Sequence, residues 1–284
     1  MILLDGKKLS EQYDGDYIKR VNILMDKHVQ PGLSIIHIGN NLESQKYIEM
    51  KEKKCQKIGI RFDLKHFNET DKEETILECI RSLNDDIYTH AIIVQLPIPE
   101  NFNTEKILNQ IVDYKDVDGF NIINSGNLYK NTSPLFVPCT PLGCMELLNH
   151  YGIELEGKNV VIIGSSHITG LPLSHLLLQK NATITLCHIY TNNIEEHTQK
   201  ADILISCCGV PNLVKKEWIK ENSILIDIGI SIVEGKIIGD IDFQDVKDKV
   251  QFITPVPGGV GPMTVSMLIN QTILSCERYI HQKL

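Results

Sequence analysis

NVVIIGSSHITGLP, residues Asn159–Pro172, is the segment that decides the fold class of this chain. Its apolar run Val160–Ile163 ends at Gly164, and Gly170 opens a second apolar-periodic stretch that reaches Leu178. A buried strand, a tight glycine turn and a helix start are typical of the first unit of a nucleotide-binding α/β domain. Phosphate binds at such a helix N-terminus because free N–H groups and the positive end of the helix dipole point at it.

The glycine spacing in this segment differs from the usual G-x-G-x-x-G of dinucleotide-binding proteins. Ser165 and Ser166 stand where a second glycine is expected. The segment by itself therefore leaves two interpretations open, a phosphate-binding turn and an ordinary strand-to-helix turn. The rest of the chain has to decide between them.

Length and composition are those of a globular protein with two domains of ordinary size. The chain has 284 residues, of which 42% are hydrophobic and 23% charged, and its net charge of −8 argues against a nucleic-acid partner. No stretch approaches the ~20 apolar residues of a membrane span, and the N-terminal apolar run is too short for a signal peptide. The eight cysteines show no metal-binding spacing. We therefore expect reduced thiols, no metal and a cytoplasmic protein without a membrane partner.

The first half of the chain alternates predicted helices and strands, an order that predicts a parallel sheet. A capping box at Thr70–Glu73 is predicted to open the third helix, which reaches Leu83. The other predicted elements are the helices Lys7–Lys27 and Asn41–Ile58 and the strands Leu33–Gly39, Ile60–Leu64 and Ala91–Gln95.

The second half repeats this alternation after a predicted loop at Lys115–Asn127. Thr140 is the expected N-cap of the next helix and Pro141 its first residue. Strands are predicted at 159–163, 183–187, 203–207, 224–228, 236–238 and 252–253, and a final helix at Met263–Leu284. The pattern predicts two α/β domains, 1–138 and 139–264, with the helix 265–284 packed back on the first. Ligands are expected in the cleft between the domains, beyond the carboxyl ends of the strands.

Tyr47 and Lys51 are four residues apart on one predicted helix and therefore share a face, with Ser44 a further turn back. Such a pair suits a functional site. However, the same helix carries a run of lysines, which usually marks a solvated face on which a lysine contributes little to stability. The run comprises Lys51, Lys53, Lys54 and Lys57.

Two further stretches place polar side chains next to a proline or a glycine, residues that commonly end strands and form turns. Gln95 closes a buried strand before Leu96 and Pro97, where it either faces a ligand cleft or simply faces water. Asp116 and Asp118, in KDVDG, either form a turn or bind the amide-like edge of a ligand. A metal pair is less favoured because no third ligand has a suitable spacing.

The Pro- and Gly-rich segment 255–264 is either a rigid linker or a loop that lines a ligand.

These stretches belong to six motifs that occur in one order: Tyr47-x3-Lys51, VQLP at 94–97, KDVDG at 115–119, PCTP at 138–141, G-x-S-x3-G-x-P at 164–172 and PGGVGPMT at 257–264. With them, nearly the whole chain resembles the bifunctional methylenetetrahydrofolate dehydrogenase/methenyltetrahydrofolate cyclohydrolase family. The resemblance implies an N-terminal folate-binding catalytic domain and a Rossmann-like, doubly wound cofactor domain. It also implies oxidation of 5,10-methylenetetrahydrofolate with NADP or NAD, hydrolysis of the methenyl product to 10-formyltetrahydrofolate, and a homodimer.

The resemblance further assigns roles to residues. Lys51 is the central catalytic lysine, held by Gln95. Tyr47 packs on the aminobenzoyl ring of the folate, and Asp118 accepts hydrogen bonds from the pterin edge. Further substrate contacts fall on Leu96, Pro97, Pro257 and Gly258, and cofactor contacts fall on Gly164, Ser165, Ser166, Ile189, Gly209, Ile230 and Thr264.

Two of the cofactor positions depart from the family pattern. The family usually has arginine after the first glycine and serine after the histidine that follows the second strand, whereas this chain has Ser165 and Ile189. The cation that would read the 2′-phosphate of NADP is therefore missing, and so is the acidic residue typical of NAD sites. His188 is either a surface histidine or a phosphate ligand. NAD use is expected to be at least comparable with NADP use. The alternatives to the bifunctional enzyme are a folate-binding protein with reduced or single activity and a hydroxy-acid dehydrogenase.

Overall fold

The structure is a computed structural model that describes residues 1–283, so Leu284 of the predicted final helix lies outside the described residues. The strands are β1 Ile2–Leu3, β2 Gly32–Ile38, β3 Arg61–Phe67, β4 Ala91–Val94, β5 Asn159–Ile163, β6 Thr183–Cys187, β7 Ile203–Ser206, β8 Ile224–Asp227, β9 Ser231–Val233, β10 Lys236–Ile238 and β11 Phe252–Ile253. The α-helices are α1 Gly6–Asp26, α2 Leu42–Ile58, α3 Glu73–Asp85, α4 Thr104–Gln110, α5 Ile122–Tyr129, α6 Cys139–His150, α7 Gly170–Leu178, α8 Ile194–Thr198, α9 Phe243–Val246 and α10 Val260–Lys283, with a 3-10 helix at Lys216–Trp218.

The chain divides into two compact units. The Lys51 unit comprises Tyr13–Cys139 and the described residues from Val265 onward. The Gly164 unit comprises Met1–Gln12 and Thr140–Thr264. The first twelve residues, which were predicted to belong to the first domain, group with the Gly164 unit. Strand β1 pairs in parallel with β11, Ile2 opposite Phe252, and this long-range pairing places the N-terminus in the Gly164 unit.

The Lys51 unit is built on a three-stranded parallel sheet in the order β3-β2-β4. Its hydrophobic core joins β2 and β4 to α3 and α4, with members such as Ile36, Ile80, Ile92 and Ile107 almost wholly buried. Strands of this kind carry apolar residues on both faces because helices cover them. The predicted parallel α/β arrangement is thus confirmed.

The Gly164 unit contains a six-stranded parallel sheet in the order β1-β11-β8-β7-β5-β6 and a β9–β10 antiparallel hairpin. The order reverses at β5: β6 pairs with one side of it and β7 with the other. In open parallel sheets, ligands bind beyond the carboxyl ends of the strands at such a reversal. The loops that follow β5 and β7 therefore lie where a nucleotide is expected.

Some local predictions were wrong. The stretch Lys115–Asn127 is not a loop throughout, because α5 begins at Ile122 behind the side-chain cap of Asn121. Helix α4, which follows a cap by Asn103, was not predicted at all. Short helices with asparagine caps resemble loops because asparagine is favoured in both.

Two predicted helix starts also differ. The capping box at Thr70–Glu73 does not form, since the N-cap residue of α3 is Lys72, which makes no side-chain cap. The carboxylate of Glu73 instead accepts hydrogen bonds from Asn103 N and Lys106 Nζ, each at 2.8 Å. Helix α6 begins at Cys139, one residue before the predicted cap Thr140. A proline in the first turn is tolerated there because its missing N–H has no intrahelical partner.

Within residues 1–283, no helix combines the length and the apolar character that crossing a membrane would need.

Candidate functional site

The centre of the Lys51 unit is a hydrogen bond between two predicted catalytic residues. Lys51 Nζ donates to Gln95 Oε1 at 2.8 Å. Gln95 directly follows β4, and its Nε2 donates to the carbonyl oxygen of Leu96 at 2.8 Å. Because the amide nitrogen is occupied by a carbonyl, the amide oxygen is the atom that faces the lysine.

Helix α2 turns Lys51 inward. Asn41 caps the helix through Ser44 N, and Gly59 ends it in a left-handed conformation with φ of 92°. Lys51 lies on the buried stripe that also carries Ile48 and Cys55, and only 8% of it is exposed. A residue at this spacing faces the protein when its neighbours three and four positions away do.

The alternative in which Lys51 belongs to a solvated lysine face is therefore wrong. The remaining lysines of the run have other surroundings: Lys53 is exposed, and Lys54 and Lys57 both form ion pairs with the buried Asp14. The helical period thus separates one lysine from the other three.

Burial lowers the pKa of the Lys51 amine, because an ammonium loses hydration inside the protein. The carboxylate of Asp118 and the thiols of Cys139 and Cys55 partly oppose this effect. Burial also raises the pKa of the Cys55 thiol to about 12, so this thiol stays protonated near neutral pH. The site holds one amine that gives up its proton more readily than an exposed lysine does.

The two aspartates of the KDVDG loop lie in different surroundings. Asp116 is 2% exposed and accepts hydrogen bonds from Phe120 N at 3.2 Å, Asn121 N at 2.8 Å and Asn124 Nδ2 at 3.0 Å, so it forms the turn. Burial raises its pKa to about 6, which those donors partly counteract. Asp118 remains partly exposed and lies close enough to Lys51 to influence the lysine electrostatically.

Lys115, at the head of the same loop, is a structural lysine. Its Nζ donates to the carbonyl oxygens of Leu83, Asn84 and Asp86 at 3.0, 2.6 and 2.9 Å. A cation at the C-terminus of α3 satisfies carbonyl groups that have no partner within the helix. This anchor fixes the start of the loop, which follows α4 and meets β4 through the bridge between Ile92 and Asp116.

Gln271 on α10 is a positioning residue that the sequence analysis missed. Its Nε2 donates to the carbonyl oxygens of Val117 and Val137 at 2.6 and 2.8 Å, and its Oε1 accepts from Val137 N at 3.1 Å. It thereby joins the loop that carries Asp118 to the segment before Cys139. A glutamine in the stretch MLINQTIL, between apolar runs on either side, was the available signal, since a buried amide requires partners.

Tyr47 lies half-buried one turn before Lys51, as the helical spacing predicts. Ser44 is 2% exposed, and its hydroxyl has no hydrogen-bond partner within the described part of the chain. Leu96 and Pro97 follow Gln95 directly, with Leu96 half-buried and Pro97 exposed. These residues belong to the Lys51 unit, whereas the predicted substrate residues Pro257 and Gly258 belong to the Gly164 unit.

The glycine turn after β5 leaves no room for side chains. A Cβ at Gly164, whose φ is +120°, would lie 2.7 Å from Cys207 Sγ, and one at Gly170 would lie 1.9 Å from Gly164 O. Thr169, which precedes α7, makes no side-chain cap. Ser165–Ile168 between the two glycines are partly or fully exposed, and Thr169 does not cap the helix, so the turn fits a phosphate group.

The remaining predicted cofactor residues all lie in the Gly164 unit. Ser165 and Ser166 follow Gly164, and Ser166 Oγ accepts a hydrogen bond from Thr169 N at 3.2 Å. The others are Ile189 after β6, Gly209 after β7, Ile230 after β8 and Thr264 in α10, whose hydroxyl contacts that of Thr140 at 3.1 Å.

The loop after β6 lacks a cation. Ile189 is 90% exposed and Tyr190 is 85% exposed. His188 Nδ1 accepts a hydrogen bond from Tyr190 N at 3.2 Å. His188 therefore uses one ring nitrogen within its own turn, which favours its interpretation as a surface histidine. Elsewhere in residues 1–283, no cluster of three or more His, Cys, Asp or Glu side chains could hold a metal ion.

A unit with a buried, hydrogen-bonded lysine and a second unit with a glycine turn at the reversal of a parallel sheet define a two-domain α/β protein of the dinucleotide-binding class. Comparison with known families narrows this class. The profile of the tetrahydrofolate dehydrogenase/cyclohydrolase catalytic domain matches residues 4–118. The profile of the NAD(P)-binding domain of the same proteins matches residues 138–280. The chain belongs to the tetrahydrofolate dehydrogenase/cyclohydrolase family, as its six motifs predicted.

Individual relatives match over almost the full length. The bifunctional protein FolD of Aquifex aeolicus (strain VF5) is 44% identical over 278 residues, which cover 98% of this chain and 96% of that protein. The crystal structure of the bifunctional enzyme FolD from Campylobacter jejuni superposes with a TM-score of 0.95 at 44% identity, covering 98% and 99% of the two chains. The Trypanosoma brucei enzyme, solved with NADP and an inhibitor, gives a TM-score of 0.95 at 34% identity and covers 99% and 98%.

Proposed function

We infer that the chain catalyses two consecutive reactions of one-carbon metabolism. It oxidises 5,10-methylenetetrahydrofolate to 5,10-methenyltetrahydrofolate with NADP, and it hydrolyses this product to 10-formyltetrahydrofolate. The observation that carries the proposal is the hydrogen bond from the buried Lys51 to Gln95. The family membership of both halves of the chain supports it.

In the hydrolysis, Lys51 holds and moves one proton. A water molecule forms the new C–O bond to the methenyl carbon, and its proton passes to the neutral amine at Nζ. The same proton then goes to the folate nitrogen as the bond between that nitrogen and the carbon breaks. The second water proton, which remains on the new hydroxyl group, leaves to solvent as the C=O bond of the formyl group forms. The lowered pKa of Lys51 supports this role, because a fraction of neutral amine is needed near neutral pH. A cationic substrate nearby lowers this pKa further.

Gln95, Tyr47 and Asp118 position the reacting groups. Gln95 holds Nζ through an uncharged acceptor, which does not stabilise the ammonium as strongly as a carboxylate would. Tyr47 offers a ring face for the aminobenzoyl group of the folate. Asp118 offers a carboxylate that accepts two N–H bonds from the pterin edge.

The Gly164 unit holds the dinucleotide. When bound there, the dinucleotide would supply the hydride acceptor for the oxidation of the methylene carbon, chemistry that needs no acid or base from the protein. The backbone of Gly164–Ser166 and the start of α7 hold phosphate, and the loops with Gly209 and Ile230 line the ligand. The contribution of these residues to rate is positioning.

The absence of a cation at Ser165 and Ile189 supports a weak preference for NADP over NAD. A homodimer and a cytoplasmic location also belong to the proposal and rest on the family resemblance. Tetrahydrofolate derivatives are the small-molecule partners.

The decisive experiment measures both activities on the purified protein. Oxidation is followed by the absorbance of the reduced nicotinamide with NAD and NADP in parallel, and hydrolysis by loss of the methenyl absorbance. Tetrahydrofolate binding without either turnover would support a binding protein. Hydrolysis alone would leave a single-activity enzyme, and a failure to bind tetrahydrofolate would return the hydroxy-acid dehydrogenase to consideration.

A further inference from the structure

Asp240 is a fully buried carboxylate that organises the loop after β7. None of it is exposed, and its Oδ2 accepts hydrogen bonds from Ser206 Oγ and Cys208 N, both at 2.8 Å. Oδ2 also accepts from Gly209 N at 3.3 Å, and Oδ1 accepts from Val210 N at 2.8 Å. Three successive backbone N–H groups therefore converge on one side chain.

This loop adjoins the glycine turn. A Cβ at Gly164 would meet Sγ and the carbonyl oxygen of Cys207 at 2.7 and 2.8 Å, so the two backbones are in close contact. Strands β5 and β7 are direct neighbours at the reversal of the sheet. The segment fixed by Asp240 is therefore one wall of the crevice in which parallel sheets bind nucleotides.

The loop after β8 packs on the same carboxylate. A Cβ at Gly229 would lie 2.0 Å from Asp240 Oδ1, so only glycine fits there. Gly229 N and Asp240 N both donate to Asp227 Oδ1 at 3.0 Å. Asp240 thus connects the ends of β7 and β8, and the second aspartate holds Asp240 in place.

No lysine or arginine in the described residues forms an ion pair with Asp240 or Asp227. The charge of Asp240 is compensated by backbone N–H groups, which bind a carboxylate more strongly than a neutral acceptor. These hydrogen bonds therefore fix the backbone geometry of the loop after β7. Asp240 is too deeply buried to reach a ligand.

We propose that Asp240 is a positioning residue for the dinucleotide, because it holds the backbone of Cys208–Val210 against the Gly164 turn. The proposal rests on the proposed function, in which this loop lines the cofactor. It predicts that disturbing Asp240 weakens dinucleotide binding and leaves the hydrolytic reaction of the Lys51 unit intact.

The direct test is Asp240→Asn, which keeps the shape but turns an NH2 group toward the converging N–H donors. We expect the Kd and the KM for NADP to rise about tenfold, since a hydrogen bond to a charged group is lost. The cyclohydrolase rate should stay within about twofold of the parent. A residue that served stability alone would lower Tm and leave the Kd of the folded protein unchanged.

Two further variants keep the carboxylate of Asp240 and change its surroundings. Gly229→Ala keeps Asp240 but pushes it away, and we expect the same rise in Kd. Gly15→Ala is the matched control, because a Cβ at Gly15 meets nothing within 4 Å. Ser206→Ala removes only one donor and preserves the fold, and its expected effect on Kd is about threefold to fivefold.

The outcomes are distinct. A parent protein that binds neither NADP nor NAD would refute the proposed function itself. A parent that binds NADP, with an unchanged Kd in folded Asp240→Asn and Gly229→Ala, would overturn the positioning role. Should both of these variants fail to fold, an unchanged Kd in Ser206→Ala would overturn it equally.

Discussion

Lys51 Nζ lies 2.8 Å from Gln95 Oε1, in a place where the lysine is only 8% exposed. The partner of this buried amine is an amide and not a carboxylate. A carboxylate in the same position would stabilise the ammonium and raise its pKa, whereas the amide orients the nitrogen without adding a charge. This pairing suits a group that must exist partly as a neutral amine.

Lys51→Met should abolish the cyclohydrolase activity, because methionine fills a similar volume but carries no proton. The variant should stay folded. It removes a buried charge, which stabilises, and leaves Gln95 Oε1 without a donor, which costs about 1–3 kcal/mol. Hydrolysis assays and thermal unfolding check both expectations. Lys53→Met, on the exposed face of the same helix, is the matched control and should keep parental activity. Parental hydrolysis by Lys51→Met would exclude Lys51 from catalysis.

Gln95→Glu should move the pH dependence of hydrolysis. In the parent, the Lys51 pKa is lowered, so the rate rises with pH through a value below the 10.5 of an ordinary lysine. A carboxylate at position 95 favours the ammonium, so the rising limb should shift to higher pH by about one to three pH units. The measurement is kcat as a function of pH for both proteins. An identical profile would show that another group sets the pH dependence.

Asp118→Asn should weaken folate binding and reduce both activities together, because an amide replaces one of two acceptors by a donor. Asp116→Asn is the contrasting variant. It should lower the free energy of unfolding more than the folate affinity of the folded protein, since its side chain binds three donors within the loop. Binding titrations and denaturant unfolding separate the two effects. Unchanged folate affinity in Asp118→Asn would show that Asp118 is a turn residue and does not bind the folate.

Ser165→Arg should shift cofactor preference toward NADP. Ser165 and the 90% exposed Ile189 provide no cation for the 2′-phosphate, so the parent should use NAD at least comparably. An arginine contact to this phosphate is worth about 1.5–3 kcal/mol, or roughly ten- to a hundredfold in affinity. The comparison to make is kcat/KM for both cofactors in parent and variant, with Ser166→Ala as a control. A hundredfold NADP preference in the parent would mean that another residue reads the phosphate.

Sequence alone determined much of this protein, because its strongest signals are local. The apolar runs of four to five residues and the glycine at 164 predict buried parallel strands and a phosphate-type turn, since both depend on neighbouring residues. The helical period places Tyr47 and Lys51 on one face for the same reason. The order of the six motifs identified the family. Local signals also explain the wrong predictions. The helix caps Asn103 and Asn121 resemble loop residues. The capping box predicted at 70–73 does not form, and the Glu73 carboxylate accepts a hydrogen bond from Lys106.

Only the tertiary structure decided which way that shared face points. Lys51 and Gln95 are separated by 44 positions, and the fold of the Lys51 unit brings them into contact. The first twelve residues join the Gly164 unit through a pairing of β1 with β11 that no local pattern encodes. The different surroundings of Asp116 and Asp118 and the convergence of N–H groups on Asp240 arise in the same way. Burial and hydrogen-bond partners depend on residues distant in the chain, so they exist only once the chain has folded.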